Sequence, residues 1–448
     1  MIFKNILPKL FLIMIMIVAM FLRVYNLEYM EFKGDEGFNS LKALNLAEGK
    51  EFPLTSSIGS TGIHEPGIFM YILTIPYLFT KNPIIAAWFI AMINVLGIFV
   101  LYIALKKLHN KKIALIAIAF YAVNPWQVMF SRKIWTQDLV VPFLIFFIYF
   151  IFNAVFHKKK SHIIYAMALL GIAVQLHLSA AYFSLVALIM VIKYWKEIDK
   201  KFFVIGVILF LLAFLPYAIF QAKNNFVDVK TALDVVKLSA KFQFSAFTLH
   251  FRLISTNGFD HLLGSDFQEF KKSEWISRLA DHLSMLILLA SFIFLLFNKT
   301  KIRFTAAAWI LTGTLFMFFN KVGLDTHYFL SFFPLYFILI GQMLGFFIDK
   351  KKKIISYFVC FAILVLLLYQ FLFSLSLVNF FSHKECIHGE YGMPYLYHLQ
   401  NIKKVTVNID SQAIKSKFDD INKLSCDCVK CDLQSAEFIV RYLRSDYN

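Results

Sequence analysis

Long apolar runs separated by short polar turns occupy the first 381 residues of the chain. A helix needs roughly 17 to 25 mostly apolar residues to cross the hydrocarbon core of a bilayer, and the runs approach or reach that length. The predicted spans are 7–25, 83–105, 113–126, 139–156, 162–177, 179–194, 202–220, 283–297, 304–320, 329–348 and 354–381. The pattern therefore predicts an all-α polytopic membrane protein with about 11 transmembrane helices.

Composition supports this class. The chain is 59% hydrophobic and 18% aromatic, and only 16% of its residues are charged. Soluble domains usually carry about a quarter charged residues, so this chain has too few to cover a surface that faces water. A soluble globular fold is excluded.

The net charge of +17 lies in alternate turns between the spans. Basic residues cluster at Lys4 and Lys9, Lys106 to Lys112, Lys158 to Lys160, Lys193 to Lys201, Lys299 to Arg303, and Lys350 to Lys353. Counted with the acidic residues of the same turns, Glu197, Asp199 and Asp349, these clusters account for the whole excess, because the rest of the chain has equal numbers of basic and acidic residues. Short basic turns face the cytoplasm, so the N-terminus is predicted inside, and nucleic acid is not an expected partner.

This orientation places three long segments, 26–82, 124–138 and 221–282, on the outer side of a cytoplasmic membrane. A membrane domain over 1–381 and an outer tail over 382–448 are predicted. The apolar stretch 67–80 is ambiguous, although a crossing there would reverse every later basic turn. We expect an interfacial or re-entrant helix at 67–80, and similar juxtamembrane helices elsewhere on the outer side.

The tail contains strand-like pieces at 405–409 and 438–442, which predict a small outer α/β appendage. It also contains Cys386, Cys426, Cys428 and Cys431. An oxidising compartment favours disulfides, but the same spacing also suits metal binding by thiolates. Both interpretations stay open, as does the oligomeric state.

Candidate chemistry lies in outward carboxylates that are close to spans, since ionisable groups there are costly and tend to be functional. Three motifs have this placement, at 33–37, 64–67 and 131–138. The first carries Asp35 and Glu36, the second His64 and Glu65, and the third Arg132, Lys133 and Asp138. Each motif has a structural alternative: a solvated loop, a carboxylate that complements a helix N-terminus, or cations that anchor the interface.

The order of these motifs resembles the GT-C fold glycosyltransferases that use polyprenyl-phosphate sugars, such as the protein O-mannosyltransferases and lipid A aminoarabinose transferases. That family carries Asp-Glu after its first helix, a His/Glu-Pro motif before a juxtamembrane helix, and a later Ser/Ala-Arg followed by Asp. Gln175 and His177 match its Gln-x-His turn, and His327 with Tyr328 matches a later helix start. Relatives often carry an Arg early in the span corresponding to 83–105, where this chain has Asn94.

The resemblance implies an inverting glycosyltransferase with a polyprenyl-phosphate sugar donor and a lipid, protein or glycan acceptor. A carboxylate must accept the acceptor proton, and fixed positive charge must stabilise the departing phosphate. Asp35 is the candidate base, with Glu36 and Glu65 on the acceptor side. Arg132 and Lys133 are the candidate phosphate ligands.

Four further residues are candidates with less defined roles. His64, His177, His327 and Tyr328 are candidate substrate-binding residues, although a histidine in a tight turn is an equal alternative for His177 and His327. Asp35 and Asp138 could hold a divalent metal ion, but two carboxylates make an incomplete site. A transporter or flippase of lipid-linked saccharides is the alternative function, and the sequence identifies neither the sugar nor the acceptor.

Overall fold

The computed structural model describes residues 2–59, 62–237, 242–272, 277–298, 300, 302–318, 324–349, 353–406 and 438–439. In chain order the α-helices are α1 (Ile2–Val24), α2 (Gly34–Ala47), α3 (Ile68–Tyr77), α4 (Pro83–Leu108), α5 (Lys111–Val123), α6 (Pro125–Met129), α7 (Val140–Phe156), α8 (His162–Leu176), α9 (Tyr182–Lys193), α10 (Lys200–Ala213), α11 (Leu215–Lys223), α12 (Val227–Lys237), α13 (Ser245–Arg252), α14 (Phe259–Leu263), α15 (Phe267–Lys272), α16 (Ser277–Phe297), α17 (Arg303–Phe318), α18 (Phe333–Ile348), α19 (Lys353–Ser382) and α20 (Tyr395–Thr406). Short 3₁₀ helices occupy Leu27–Tyr29, Thr136–Leu139, Leu178–Ala180, Gly264–Asp266 and Thr326–Phe332. Two strands, β1 (Thr55–Ile58) and β2 (His64–Pro66), form an antiparallel pair.

Every predicted span is helical over nearly all of its described residues, which confirms the all-α membrane class. Six helical segments of the described chain are long and apolar enough to cross a membrane, and α10 with α11 would make a seventh. That pair bends by 45°, because Pro216 lacks an N–H and its ring clashes with the preceding turn. The helices α8, α9 and α17 are apolar but shorter, so the predicted number of spans includes helices below the usual crossing length.

The helices differ in how much of their apolar surface they bury. In the apolar stretches that contain α7 and α18, 78% and 83% of the residues are buried, whereas in those of α1 and α19 the buried shares are 22% and 28%. Gly341 and Gly345 let α18 approach α5 closely, since a Cβ on Gly341 would lie 2.8 Å from the carbonyl oxygen of Ile113. Small residues at this spacing are typical of membrane helix contacts. The exposed apolar faces of α1 and α19 are suited to lipid.

The polar segments separate to the two ends of the bundle. At one end the basic turns meet, with Lys112 paired to Asp349 and Lys160 lying 3.4 Å from Asp199. We call this the lysine end. At the opposite end, which we call the loop end, the segments 26–82, 124–138 and 221–282 contact one another. The predicted grouping of these segments is therefore present in the structure.

Helix α3 does not cross the bundle. Its ten residues span about 15 Å, half of the hydrocarbon thickness. Glu65, just before α3, accepts a hydrogen bond from Thr136, and Lys81, just after it, lies 3.1 Å from Glu48. Both ends of the stretch 67–80 are thus at the loop end, as expected for an interfacial helix.

The described tail residues pack on the loop end but do not form the predicted strands. Val405 and Thr406 end α20, and Phe438 and Ile439 have helical backbone. The rest of 405–409 and 438–442 lies outside the described residues. Cys386 is disulfide-bonded, whereas Cys426, Cys428 and Cys431 also lie outside the described residues.

Candidate active site

A cavity of about 480 Å³ opens at the loop end. Charged side chains and histidines contribute much of its lining: Glu31, Lys33, Asp35, Glu36, Lys133, Arg252, His261, Asp325, His327 and Glu390. Trp126, Phe130 and Trp135 supply an aromatic part of the wall. The structure therefore brings the predicted residues Asp35, Glu36, Lys133 and His327 into one cavity.

Asp35 stands in the first turn of α2, where the helix dipole favours a carboxylate. The turn is held by Glu36, whose Oε2 accepts a hydrogen bond from the backbone N–H of Lys33 at 3.1 Å. The Asp35 side chain remains exposed, and its Oδ2 accepts a hydrogen bond of 2.9 Å from the indole Nε1 of Trp135. Asp35 is thus oriented by one aromatic donor and open to a reactant.

Lys133 joins the carboxylates behind Asp35. Its Nζ lies 2.9 Å from Glu31 Oε2 and 3.8 Å from Glu36 Oε1, and Lys33 Nζ lies 2.7 Å from Glu31 Oε1. Burial alone would lower the pKa of Lys133, but Glu31 and Glu36 outweigh it and raise that pKa above its ordinary value. Burial and the Glu31 charge raise the pKa of Glu36. Lys133 is therefore a fixed cation on the cavity wall.

A second, larger cavity of about 870 Å³ lies beside α2. Its walls come from α2, the segment 51–58, His64 and Phe220. Asp35 also lines this cavity, and it is the residue that the two linings have in common within the described chain. The carboxylate therefore stands between two spaces, one densely charged and one lined mainly by aromatic, Ser and Thr residues with the Lys42–Glu51 pair.

Glu65 is held near Asp35 by the turn before α7. Its Oε2 accepts a hydrogen bond of 3.2 Å from the hydroxyl of Thr136. The pKa of Glu65 is raised to about 8, mainly because the side chain is buried and secondly because of the charge of Asp35. At neutral pH Glu65 is mostly protonated, so it is a neutral hydrogen-bonding group near Asp35, behind the lining of the two cavities.

His64 is fixed by a carboxylate that the sequence did not single out. Asp228, in α12, is 3% exposed and its Oδ1 lies 2.8 Å from His64 Nδ1 and 3.2 Å from the His64 backbone nitrogen. Its Oδ2 accepts hydrogen bonds from Tyr217 and Gln221. Burial would raise the pKa of Asp228, but these hydrogen bonds lower it overall. The segment 221–237 thereby anchors the strand that carries Glu65.

Arg132 has a different position from the one expected of a phosphate ligand. Its guanidinium is buried and donates to the carbonyl oxygens of Leu22 and Tyr25 at 2.7 Å and of Asn26 at 3.2 Å. These carbonyls lie at the end of α1, where the helix leaves acceptors unsatisfied. Arg132 caps that helix and does not line either cavity, so the predicted phosphate role has no geometric support.

The aromatic candidates form a cluster at one side of the smaller cavity. The His327 ring lies 5.1 Å from the Trp135 ring and 4.2 Å from the Tyr328 ring. His177 is buried, with Nδ1 2.6 Å from Ser179 Oγ and its ring 5.7 Å from that of Tyr328. Of the predicted residues His177, His327 and Tyr328, only His327 lines the cavity, while His177 and Tyr328 pack behind it.

Asp138 does not join Asp35 in a metal site. It is 1% exposed, neither of its carboxylate oxygens makes a hydrogen bond with a described residue, and it lines neither cavity. Its backbone carbonyl accepts a hydrogen bond from Asn94. Across the described residues, no group of three or more His, Cys, Asp or Glu side chains is arranged to hold a metal ion. The residues present therefore do not fit the predicted Asp35–Asp138 site.

Sequence reasoning missed Glu31, Arg252, Asp228 and Glu390. Arg252 ends α13 and lines the smaller cavity, although no motif surrounds it in the sequence. Glu390 lines the same cavity, and its carbonyl accepts a hydrogen bond from Lys33. Glu31, Arg252 and Asp228 are recognisable only from contacts between distant segments.

The chain is similar to known proteins in part of its sequence and in its fold. A family model described as dolichyl-phosphate-mannose-protein mannosyltransferase matches residues 64–220, which include His64 and Glu65, the 131–138 motif and His177. No curated protein sequence matches the chain.

Solved structures match nearly the whole chain. ArnT from Cupriavidus metallidurans, bound to undecaprenyl phosphate, has a TM-score of 0.62 at 12% identity, covering 96% of this chain and 84% of ArnT. The oligosaccharyltransferase AglB from Archaeoglobus fulgidus, in complex with an inhibitory peptide and a dolichol-phosphate, has a TM-score of 0.53 at 13% identity, covering 96% of this chain and 61% of AglB. At identities this low, the structural matches establish the fold alone. The chain is therefore a membrane protein with the predicted fold, that of the GT-C glycosyltransferases. The predicted enzyme class, a glycosyltransferase, is also the class of the matching family model and of the structural neighbours.

Proposed function

We propose that the protein transfers a sugar from a polyprenyl-phosphate donor to a hydroxyl acceptor, with inversion at the anomeric carbon. The observation that carries this proposal is the position of Asp35, which lines both cavities and is oriented by Trp135. A base must contact the acceptor while the donor carbon lies close by. A carboxylate between two cavities meets both requirements.

The smaller cavity is the donor side in this proposal. Lys133 and Arg252 both line it, and a lipid phosphate needs fixed positive charge as it departs. Arg252 offers a planar fork that suits phosphate oxygens, and Lys133 is kept charged by Glu31. In the matched structures the bound lipids are undecaprenyl phosphate in ArnT and a dolichol-phosphate in AglB.

The larger cavity is the acceptor side. The acceptor hydroxyl transfers its proton to the Asp35 carboxylate while its oxygen bonds to the anomeric carbon. The bond from that carbon to the phosphate oxygen breaks on the opposite face, and polyprenyl phosphate leaves with the electron pair. Glu65, protonated at neutral pH, donates a hydrogen bond on the acceptor side, and Glu36 holds the turn that carries Asp35.

We also propose that the loop end faces outward across the cytoplasmic membrane and the lysine end faces the cytoplasm. The positive-inside rule supports this orientation. Single cysteines introduced by Lys50→Cys and Lys158→Cys test it, because Lys50 lies at the loop end and Lys158 in a basic turn. In intact cells an impermeant maleimide should label only the first variant above the unmodified chain. Labelling of only the second would overturn the orientation.

Asp35→Asn tests the catalytic proposal, with Asp234→Asn on α12 as the matched control. The substitution keeps the size of the side chain and removes the base. Purified protein in lipid nanodiscs should lose transfer from a polyprenyl-phosphate sugar while still binding polyprenyl phosphate, and the control should keep transfer. Transfer at the unmodified rate by folded Asp35→Asn protein would refute the base role. Movement of a lipid-linked saccharide across proteoliposomes without transfer would favour the transporter alternative.

A further inference from the structure

A third cavity of about 560 Å³ adjoins the smaller cavity on the proposed donor side, which we call the donor cavity. Arg252 and Gly258 line both. The helices α13 to α16 surround this third cavity, and Phe373 of α19 closes one side. The third cavity is therefore adjacent to the donor cavity, and one arginine belongs to both linings.

Three cations line the third cavity: Arg252, Lys271 and Arg278. No described residue forms an ion pair with any of them. The other arginines in the described part of the chain are used differently, because Arg23, Arg132 and Arg303 donate to backbone carbonyl oxygens. Arg252 and Arg278 have no such acceptor among the described residues. Two guanidinium groups and an ammonium group, whose Nζ lies 5.7 Å from the centre of the Phe267 ring, thus face one space without an ion-pair partner among the described residues.

The carboxylates in the lining do not form ion pairs with these cations and offset only part of their charge. Asp281 Oδ1 accepts hydrogen bonds from the backbone nitrogen and hydroxyl of Thr256, at 2.7 and 2.6 Å. Asp260 is the other acidic residue in the lining, which leaves an excess of one positive charge. An anionic ligand is therefore favoured in this cavity.

The remainder of the lining is apolar and comes partly from membrane helices. Phe267, Phe270, Met285 and Phe373 contribute to it, and the Phe270 and Phe373 rings meet edge to face at 5.4 Å. Met285 lies in α16 and Phe373 in α19, both of which are long enough to cross a bilayer. A ligand with an anionic head and an apolar chain fits this combination better than a free anion does.

We propose that this cavity is an entry site for the lipid-linked donor. It binds the phosphate of a polyprenyl monophosphate carrier at Arg252, Lys271 and Arg278, with the first isoprene units against the apolar wall. Arg252 then continues to contact the phosphate as it passes into the donor cavity. This inference rests on the proposed function, since it assigns a second site to the same donor.

The double variant Lys271→Gln/Arg278→Gln tests the proposal, because neither residue lines the donor cavity. Lys223→Gln/Lys230→Gln, which removes two exposed cations at the loop end outside the third cavity, is the matched control. In nanodiscs the test variant should raise the KM for the lipid donor and the Kd for polyprenyl monophosphate about a hundredfold, because two charge-assisted contacts are lost and each corresponds to about a tenfold change. Its kcat at saturating donor should match that of the unmodified protein.

Competition separates the sources of phosphate. Phosphatidylglycerol vesicles or inorganic phosphate that displace polyprenyl monophosphate equally well would overturn the assignment to the donor, as would unchanged KM and Kd in the test variant. The Asp35→Asn variant separates this inference from the proposed function, because it should lose transfer but bind the carrier normally. If the unmodified protein shows no transfer, yet Lys271→Gln/Arg278→Gln still weakens carrier binding, the site stands and the transfer reaction fails.

Discussion

Trp135 donates a hydrogen bond of 2.9 Å to the carboxylate of Asp35, from a position one hundred residues along the chain. Trp135 is itself held by aromatic contacts, since the His327 ring packs against it edge to face at 5.1 Å and Lys133 Nζ lies 3.9 Å from its centre. Three segments of the loop end thus converge on the orientation of one carboxylate. An oriented base needs no rearrangement at the moment of reaction.

Trp135→Phe should lower kcat without unfolding the protein. An aromatic ring is retained while the indole N–H that donates to Asp35 is removed, which corresponds to about a tenfold change in rate for one bond to a charged group. Trp126→Phe is the control, because Trp126 lines the same cavity but its Nε1 has no hydrogen-bond partner among the described residues. Initial rates for both variants provide the measurement. Equal rates in the two would contradict an orienting role for Trp135.

Arg132→Gln should affect stability, and Lys133→Gln should affect catalysis. Removal of Arg132 leaves three carbonyl oxygens at the end of α1 without their donor, at a cost of about 1–3 kcal/mol, so the Tm in detergent should fall by several degrees. The KM for the lipid donor should stay unchanged. Lys133→Gln should instead lower kcat/KM for the donor. A raised KM in Arg132→Gln with an unchanged Tm would restore Arg132 as a phosphate ligand.

The rate should fall as pH rises through about 8 if Glu65 must be protonated, because its raised pKa lies there. Ionised Glu65 repels Asp35 and can no longer donate a hydrogen bond beside it. Glu65→Gln should lose this alkaline limb in a pH profile of kcat/KM, while Glu36→Gln should keep it. The folded pKa of Glu65 is above its ordinary value of 4.5, so its contribution to stability is complete below that pH and is lost as pH rises through about 8. Superimposable profiles for Glu65→Gln and unmodified protein would rule out this role.

Asp228→Asn should loosen the strand that carries His64 and Glu65. The depressed pKa of Asp228 means that its contribution to stability is present above its ordinary pKa and is lost as pH falls through the folded value. We expect a higher KM for the acceptor with little change in the KM for the donor. Asp234→Asn, on the same helix, is the control, and acceptor titration at fixed donor is the measurement. An equal rise in both KM values would argue for general destabilisation.

The hydrophobic pattern was sufficient to predict the membrane class, the helical spans and the grouping of the polar segments at two ends. Each of these features depends on local properties: the length of an apolar run relative to the bilayer, and the density of lysine in a short turn. The motif order was sufficient to predict the GT-C fold. Asp35 and Lys133 were predicted among the site residues and lie together in one cavity.

Only the tertiary structure distinguished adjacent residues from one another. Arg132 and Lys133 are neighbours in a single motif, yet one caps α1 and the other faces the cavity, because a turn directs consecutive side chains to different surroundings. Asp138 was predicted as a metal ligand but is buried apart from Asp35. Arg252 and Asp228 carry no local signal, since their importance comes from contacts with segments far away in the chain. The sequence by itself thus determined which segments form apolar helices and which carry charge at the two ends of the bundle, whereas packing between distant segments decided which charges share a site.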